Sequence, residues 1–199
     1  MCIRDRLKTY TENAYVICAD GGYDIAVKYG IPINLVVGDF DSSEKEPPKG
    51  IETIVLPSHK DDTDTMFAIK EGFQRGYHEF VLLGVLGGQR FDHSIANLSA
   101  LHYIATHGGN GLIVDRNMQI FLLVSGRLVL TQMEKALISV FPFGCPYCTV
   151  TYYGLEYPLT KHPLYANDPL GVSNHILAER AEVILHDGNA LIIVQQEPK

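Results

Sequence analysis

The chain has 199 residues, 46% of them hydrophobic and 20% charged, which fits one large or two small globular domains and excludes a disordered chain. Its formal net charge of -7 excludes a general nucleic-acid binder, since neutralising phosphates takes clustered Lys and Arg, and leaves any anionic substrate to a metal or a few local cations. No apolar run approaches the ~18 residues that cross a bilayer and the start of the chain has no signal-peptide core, so a cytoplasmic, reduced setting is expected, without membrane or nucleic-acid partners.

The first residues, "MCIRDRLKTYTENA", read as the tail of a helix. A doubly wound sheet opens with a strand, so the first strand of such a sheet is expected to have no counterpart here. From residue 15 to about 110, short β-rich runs alternate with amphipathic stretches. "YVICADGG" (15–22), "NLVVGDFD" (34–41), "IETIVLP" (51–57) and "EFVLLGVLGG" (79–88) read as strands that end in loops. "YDIAVKYG", "DTDTMFAIKEGFQRG" and "FDHSIANLSALHYIATHGG" read as helices, the last two closed by glycine. Alternation of this kind predicts an α/β domain over 1–110, with a parallel, Rossmann-like sheet and helices on its faces. From 111 the helical signal disappears. "GLIVD", "QIFLLV", "RLVLT", "ALISVFPF", "TVTYYG", "AEVILHDG" and "ALIIVQQ" predict an all-β, sandwich-like domain over 111–199. "CPYC", Cys145 to Cys148, resembles a redox motif. Such motifs work at a helix N-terminus, and here strand-like runs flank it, so its thiols are expected to be incidental loop residues.

Ligands of open α/β sheets bind at the carboxyl ends of the strands. Asp20 ends the first run, and Asp39 and Asp41 end the second. Residues i and i+2 of an extended segment point the same way, so Asp39 and Asp41 can converge on one cation, with Gly38 allowing the turn before them. A single strand-end Asp ordinarily makes an Asx-turn or a cap; three at neighbouring ends are harder to explain so. Asp61, Asp62 and Asp64 follow where a helix begins, and capping accounts for one or two of these. Asp64 with Asp20, Asp39 and Asp41 would make four carboxylates, hard oxygen ligands suited to Mg2+ bridging phosphates. Gly84, Gly87 and Gly88 would let backbone approach a ligand at the next strand end, where Arg90 adds a planar cation suited to phosphate. Asp92 and His93 open the helix after it, with Asp92 able to serve as its N-cap.

Together these residues resemble the thiamin pyrophosphokinase family. The motifs are "ADGGYD" (19–24), "VVGDFDS" (36–42), "KDDTDT" (60–65), "LGGQRFDHSIAN" (86–97), "YGLEYPL" (153–159) and "GVSNHI" (171–176), in the family's order and over nearly the whole chain. The resemblance implies transfer of the β,γ-pyrophosphate of ATP to the hydroxyl of thiamin, giving thiamin diphosphate and AMP. It places Asp20, Asp39, Asp41 and Asp64 at Mg2+-binding positions and Arg90, Asp92 and Asp64 at the reacting groups. It assigns ATP contacts to Gly21, Gly22, Asp61, Gly87, Gly88, Arg90 and His93, and thiamin contacts to Ser173 and Asn174. It also implies a homodimer with shared active sites. Two alternatives stay open: a similar pyrophosphokinase acting on a pterin alcohol, and a non-catalytic nucleotide- or thiamin-binding module.

Overall fold

The computed structural model describes residues 3–39, 50–57, 59–88 and 90–196. The chain packs as two compact units, Met1–His78 and Glu79–Lys199. The first contains α1 (Ile3–Thr11), β1 (Ile17–Ala19), α2 (Gly22–Tyr29), β2 (Leu35–Gly38), β3 (Glu52–Val55) and α3 (Asp64–Gln74). Its strands form a parallel sheet in the order β1-β2-β3, with Ile17 opposite Leu35 and Leu35 opposite Glu52. Leu35, Val36 and Val37 of the central strand are fully buried, the unbroken apolar run of a parallel strand covered on both faces. Val36 packs with Cys18, Ala26 and Ile31, whereas Leu35 and Val37 pack with Leu56 and, around it, Ile17, Ile54 and Phe67. α2 therefore supplies Ala26 to one layer and α3 supplies Phe67 to the other.

The second unit begins with β4 (Glu79–Leu83), α4 (Phe91–Thr106), β5 (Asn110–Asp115), β6 (Met118–Leu123), β7 (Arg127–Thr131), β8 (Leu137–Pro142) and β9 (Tyr147–Tyr153). It continues with β10 (His162–Tyr165), a 3-10 turn at Pro169–Gly171, β11 (Asn174–His175), β12 (Arg180–Asp187) and β13 (Ala190–Gln195). A six-stranded sheet runs β11-β8-β13-β6-β5-β4 and a four-stranded one β10-β9-β12-β7. The β4-α4-β5 crossover makes its two strands parallel, while Arg116 and Asn117 turn β5 directly into antiparallel β6. One sheet is thus parallel at one edge and antiparallel across the rest. Gly111 permits the crossover helix to lie close: a Cβ there would sit 2.7 Å from Leu101 Cδ2.

Ile138, Val140, Val150, Tyr152, Leu164, Val183, Ile192 and Val194 fill the space between the two sheets. On its other face, the six-stranded sheet packs Ile113, Ile120, Leu122 and Leu191 against Leu101 of α4. Along β12 burial alternates, Ala181, Val183 and Leu185 facing inward, as a half-covered antiparallel strand requires. The run over 79–88 was expected to continue the parallel sheet of the first unit; β4 instead pairs with β5, and packing divides the chain at His78/Glu79. The helix expected over 1–14 is present as α1. No helix among the described residues is long and apolar enough to cross a membrane.

Candidate functional site

In the first unit the acids fall just beyond the strands. Asp20 follows β1 with a left-handed φ of 47°, and its N–H donates to the Val37 carbonyl at 2.9 Å, so the side chain projects from a tight turn rather than continuing the strand. Gly21 and Gly22 then open α2. Asp39 follows β2, and Asp64 is the first residue of α3. Thr63, not an acid, caps that helix: its hydroxyl accepts the Met66 N–H at 3.1 Å. Asp64 is thereby free of capping duty.

Lys60 joins the two strand-end regions. Its Nζ lies 3.2 Å from Asp39 Oδ2 and 2.6 Å from Asp64 Oδ1, with all three side chains at most one quarter exposed. Burial alone would lower the Lys60 pKa, but its contacts with Asp64 and Asp39 outweigh that and leave it raised. The ammonium is thus charged at neutral pH. Asp64 Oδ1 is shielded from water and, among the described residues, has no aligned hydrogen bond, with the Lys60 ammonium beside it. Asp62 turns away to Lys70, its oxygens 2.8 and 2.7 Å from Nζ, while Asp61 is exposed. Asp41 lies outside the described residues. Among the described residues no three His, Cys, Asp or Glu side chains are grouped to hold a metal; Asp39 and Asp64 are a pair.

In the second unit, the loop after β4 carries Gly84 and Gly87 at φ 71° and 76°. Asn97, buried in α4, pins this loop by donating from Nδ2 to the Val85 carbonyl at 2.7 Å. Sequence reading had missed that role, although Asn97 stands in the same motif as Gly87. Arg90 occupies the N-cap position of α4 without a side-chain cap bond, and its guanidinium grips Asp92, with Nη2 2.5 Å from Oδ2. The hydrogen bond from Arg90 holds the Asp92 carboxyl below the usual range, so it is a weak base in this arrangement. Arg90, Asp92, His93, Gly87 and Gly88 are all exposed.

Farther along, Ser173 is exposed and left-handed (φ 60°), and its N–H donates to Ser139 Oγ at 3.0 Å. Asn174 is buried. Asn174 lines a cavity of about 160 Å³ together with Tyr152, Tyr157, Leu159, Leu170 and Val172, so the residues on either side of Ser173 reach it while Ser173 itself does not line it. Gly171 also lines it, and it is required there because a Cβ would fall 2.0 Å from the Val140 carbonyl oxygen. Tyr157, Leu170 and Val172 are more than two-fifths exposed. Tyr157, Leu159 and Val172 stand in the motifs "YGLEYPL" and "GVSNHI", but their role as a wall was not read from sequence, because nothing in the periodicity separates a cavity wall from a core.

The cysteine motif differs from expectation in placement. Cys148 is a core residue of β9, its thiol pushed up to about 12 mainly by burial, while Cys145 Sγ accepts the Asn189 N–H at 3.3 Å. The free thiols are set among strands, without the helix N-terminus that would activate them.

Two family models match the chain: thiamin pyrophosphokinase, catalytic domain, over residues 7–111, and thiamin pyrophosphokinase, vitamin B1 binding domain, over residues 127–189. Among solved structures, thiamine pyrophosphokinase from Bacillus subtilis superposes with a TM-score of 0.86 at 23% identity, covering 96% of this chain and 92% of that one. A thiamin pyrophosphokinase family protein from Enterococcus faecalis gives 0.76 at 25% identity over 93% and 90%. Thiamin pyrophosphokinase from Candida albicans gives 0.81 at 17% identity over 99% and 86%. No curated protein sequence matches.

Proposed function

Because this chain belongs to the thiamin pyrophosphokinase family and transfers pyrophosphate from ATP to thiamin, we propose that Asp39 and Asp64 form the core of its Mg2+ site, completed by Asp20 and Asp41. The observation that carries this reading is that one carboxylate oxygen from each already converges on a single cation, the Lys60 ammonium. Hard anionic oxygens, one shielded and without an aligned donor, fit a divalent cation. Bound there, Mg2+ would offset charge developing on the phosphates during displacement at the β-phosphorus. Asp39 and Asp64 would hold it from two element ends. Lys60 keeps the pair together meanwhile.

Arg90, Asp92 and Asp64 are assigned to the reacting groups. Arg90 is exposed and held by a partner two residues away, so it can exchange carboxylate for phosphate oxygens with little rearrangement. Release of Asp92 from that grip would restore its basicity toward the thiamin hydroxyl. Gly21, Gly22, Asp61, Gly87, Gly88 and His93 are assigned to ATP, with Gly21, Gly87 and Gly88 offering exposed backbone in the segments before α2 and α4. Ser173 is assigned to thiamin, with the neighbouring cavity receiving the organic rings. Asn174 belongs to the same site, its side-chain amide already engaged by the protein. Residues 1–110 act as the catalytic domain and 111–199 as the thiamin-binding and dimerisation domain of a cytoplasmic homodimer.

The deciding experiment is AMP release from ATP with and without thiamin, before and after chelation of divalent cations. The reading expects AMP only with thiamin and only with metal. Thiamin-independent AMP, or activity indifferent to chelation, refutes it.

A further inference from the structure

Tyr157 lies outside every strand, is 61% exposed, and still lines the cavity beside Ser173. What fixes it is a single side chain. Leu155 pairs with Ile176 as an isolated antiparallel bridge, and the Glu156 N–H donates to the His175 carbonyl at 2.9 Å. One residue farther on, backbone pairing gives way to Asn174. Its Oδ1 accepts the Tyr157 N–H at 3.0 Å, and its Nδ2 donates to the Tyr157 carbonyl at 2.8 Å. The side-chain amide thus presents a donor and an acceptor to one residue, as a facing peptide group would in a ladder. Oδ1 also accepts the N–H of His175 at 2.9 Å, which locks the amide against flipping. Asn174 itself is only 7% exposed.

We infer that Asn174 is a positioning residue for substrate: it acts through Tyr157, fixing that residue's backbone where it lines the thiamin cavity, instead of hydrogen-bonding thiamin itself. The inference rests on the reading of the cavity given above. Its chemical logic is a matter of capacity. Oδ1 already accepts two hydrogen bonds and one Nδ2 proton is spent, so a buried amide has little left to offer a ligand. A residue whose backbone is fixed beside the cavity, in contrast, offers its ring to a flat cationic heterocycle without first ordering the segment that carries it.

The test is a double-mutant cycle on the full chain, reading thiamin affinity by calorimetry for wild type, Asn174→Ala, Tyr157→Ala and the double variant. Asn174→Ala and Tyr157→Ala should each weaken thiamin by about five- to tenfold, and the double variant should stay within about twofold of Tyr157→Ala alone. Affinity for a non-hydrolysable ATP analogue should be the same in all four. Multiplicative losses would overturn the inference by showing that Asn174 meets thiamin independently, and so would a parallel loss of nucleotide affinity, the mark of a merely structural role. If Asn174→Ala does not fold, Asn174→Asp replaces it in the cycle, since the carboxylate keeps the acceptor and removes the donor to the Tyr157 carbonyl. A wild-type chain that takes up no thiamin would overturn both the cavity reading and the inference; thiamin uptake with an additive cycle overturns the inference alone.

Discussion

Lys60 sets the behaviour of the Asp39–Asp64 pair. Two carboxylates share its ammonium, so each depends on it for compensation. Lys60→Met should lower stability by about 1 kcal/mol, the order found for ion pairs that are not fully buried. The sign of the pH dependence follows from the raised pKa: a lysine held above its ordinary value contributes fully below that value and loses the contribution only as pH rises through the folded one. The stability gap between wild type and Lys60→Met should therefore be constant from about pH 7 to 9 in urea melts. A gap that closes within that range would show that the ammonium is not held as described. Asp39→Asn and Asp64→Asn should each abolish thiamin-dependent AMP release with the circular dichroism spectrum retained, because each replaces one oxygen at an element end, outside the core. Ser173→Ala should weaken thiamin several-fold in calorimetric titration and leave nucleotide affinity alone, as expected for a hydrogen bond of ~0.5 to 1.5 kcal/mol.

At the scale of elements, the helix starts separate stability from chemistry. α3 is capped by Thr63 while Asp64, its neighbour, faces Lys60. Thr63→Ala should cost about 1 kcal/mol in urea denaturation through the lost cap. Metal affinity should fall less than in Asp64→Asn, since the acid itself remains. The alternation of strand and helix up to residue 110 was legible from periodicity, as were the antiparallel runs after it, because each buried face repeats at the spacing of its own element. The placement of Asp39 after a strand and of Asp64 at a helix start was legible for another reason: an apolar run that stops at an acid, and an acid that precedes an amphipathic stretch, mark those element ends. Lys60 was not. It opens the "KDDTDT" motif three residues before Thr63, but a lysine there has no pattern that points it at an acid, and its nitrogen reaches both Asp39 and Asp64 only in the folded chain. Asn97 was hidden similarly, and so was the engagement of Asn174 with Tyr157, since a buried amide is recognised by the backbone it bonds. The partner of β4 was also beyond sequence reading: its apolar run suits either sheet, and the choice is made by the length of the α4 crossover and the close approach at Gly111.

For the molecule as a whole, the second unit leaves an apolar surface that its own core does not use. Tyr153, Tyr157, Leu170, Val172 and Leu177 are exposed, and three of them surround the cavity. Patches of this type on a globular surface mark places where another surface lands. A twofold homodimer is expected, and light scattering at micromolar concentration should report twice the 22.1 kDa chain mass. A monomer with full activity would dismiss the shared site.

The order of strands in the larger sheet bears on how the protein is made. β13, the last strand in the sequence, pairs with β6 on one side and β8 on the other. Until it is synthesised, β11-β8 and β6-β5-β4 are separate pieces, each with an open edge where β13 will lie. The three-stranded sheet of the first unit has no such dependence, as its strands and helices all precede residue 79. A nascent chain can therefore carry a finished first unit while the second still waits for its keystone. Ribosome stalling or proteolysis just before Ala190 would release a product with two sticky sheet edges, prone to aggregate rather than to remain as a partly active enzyme.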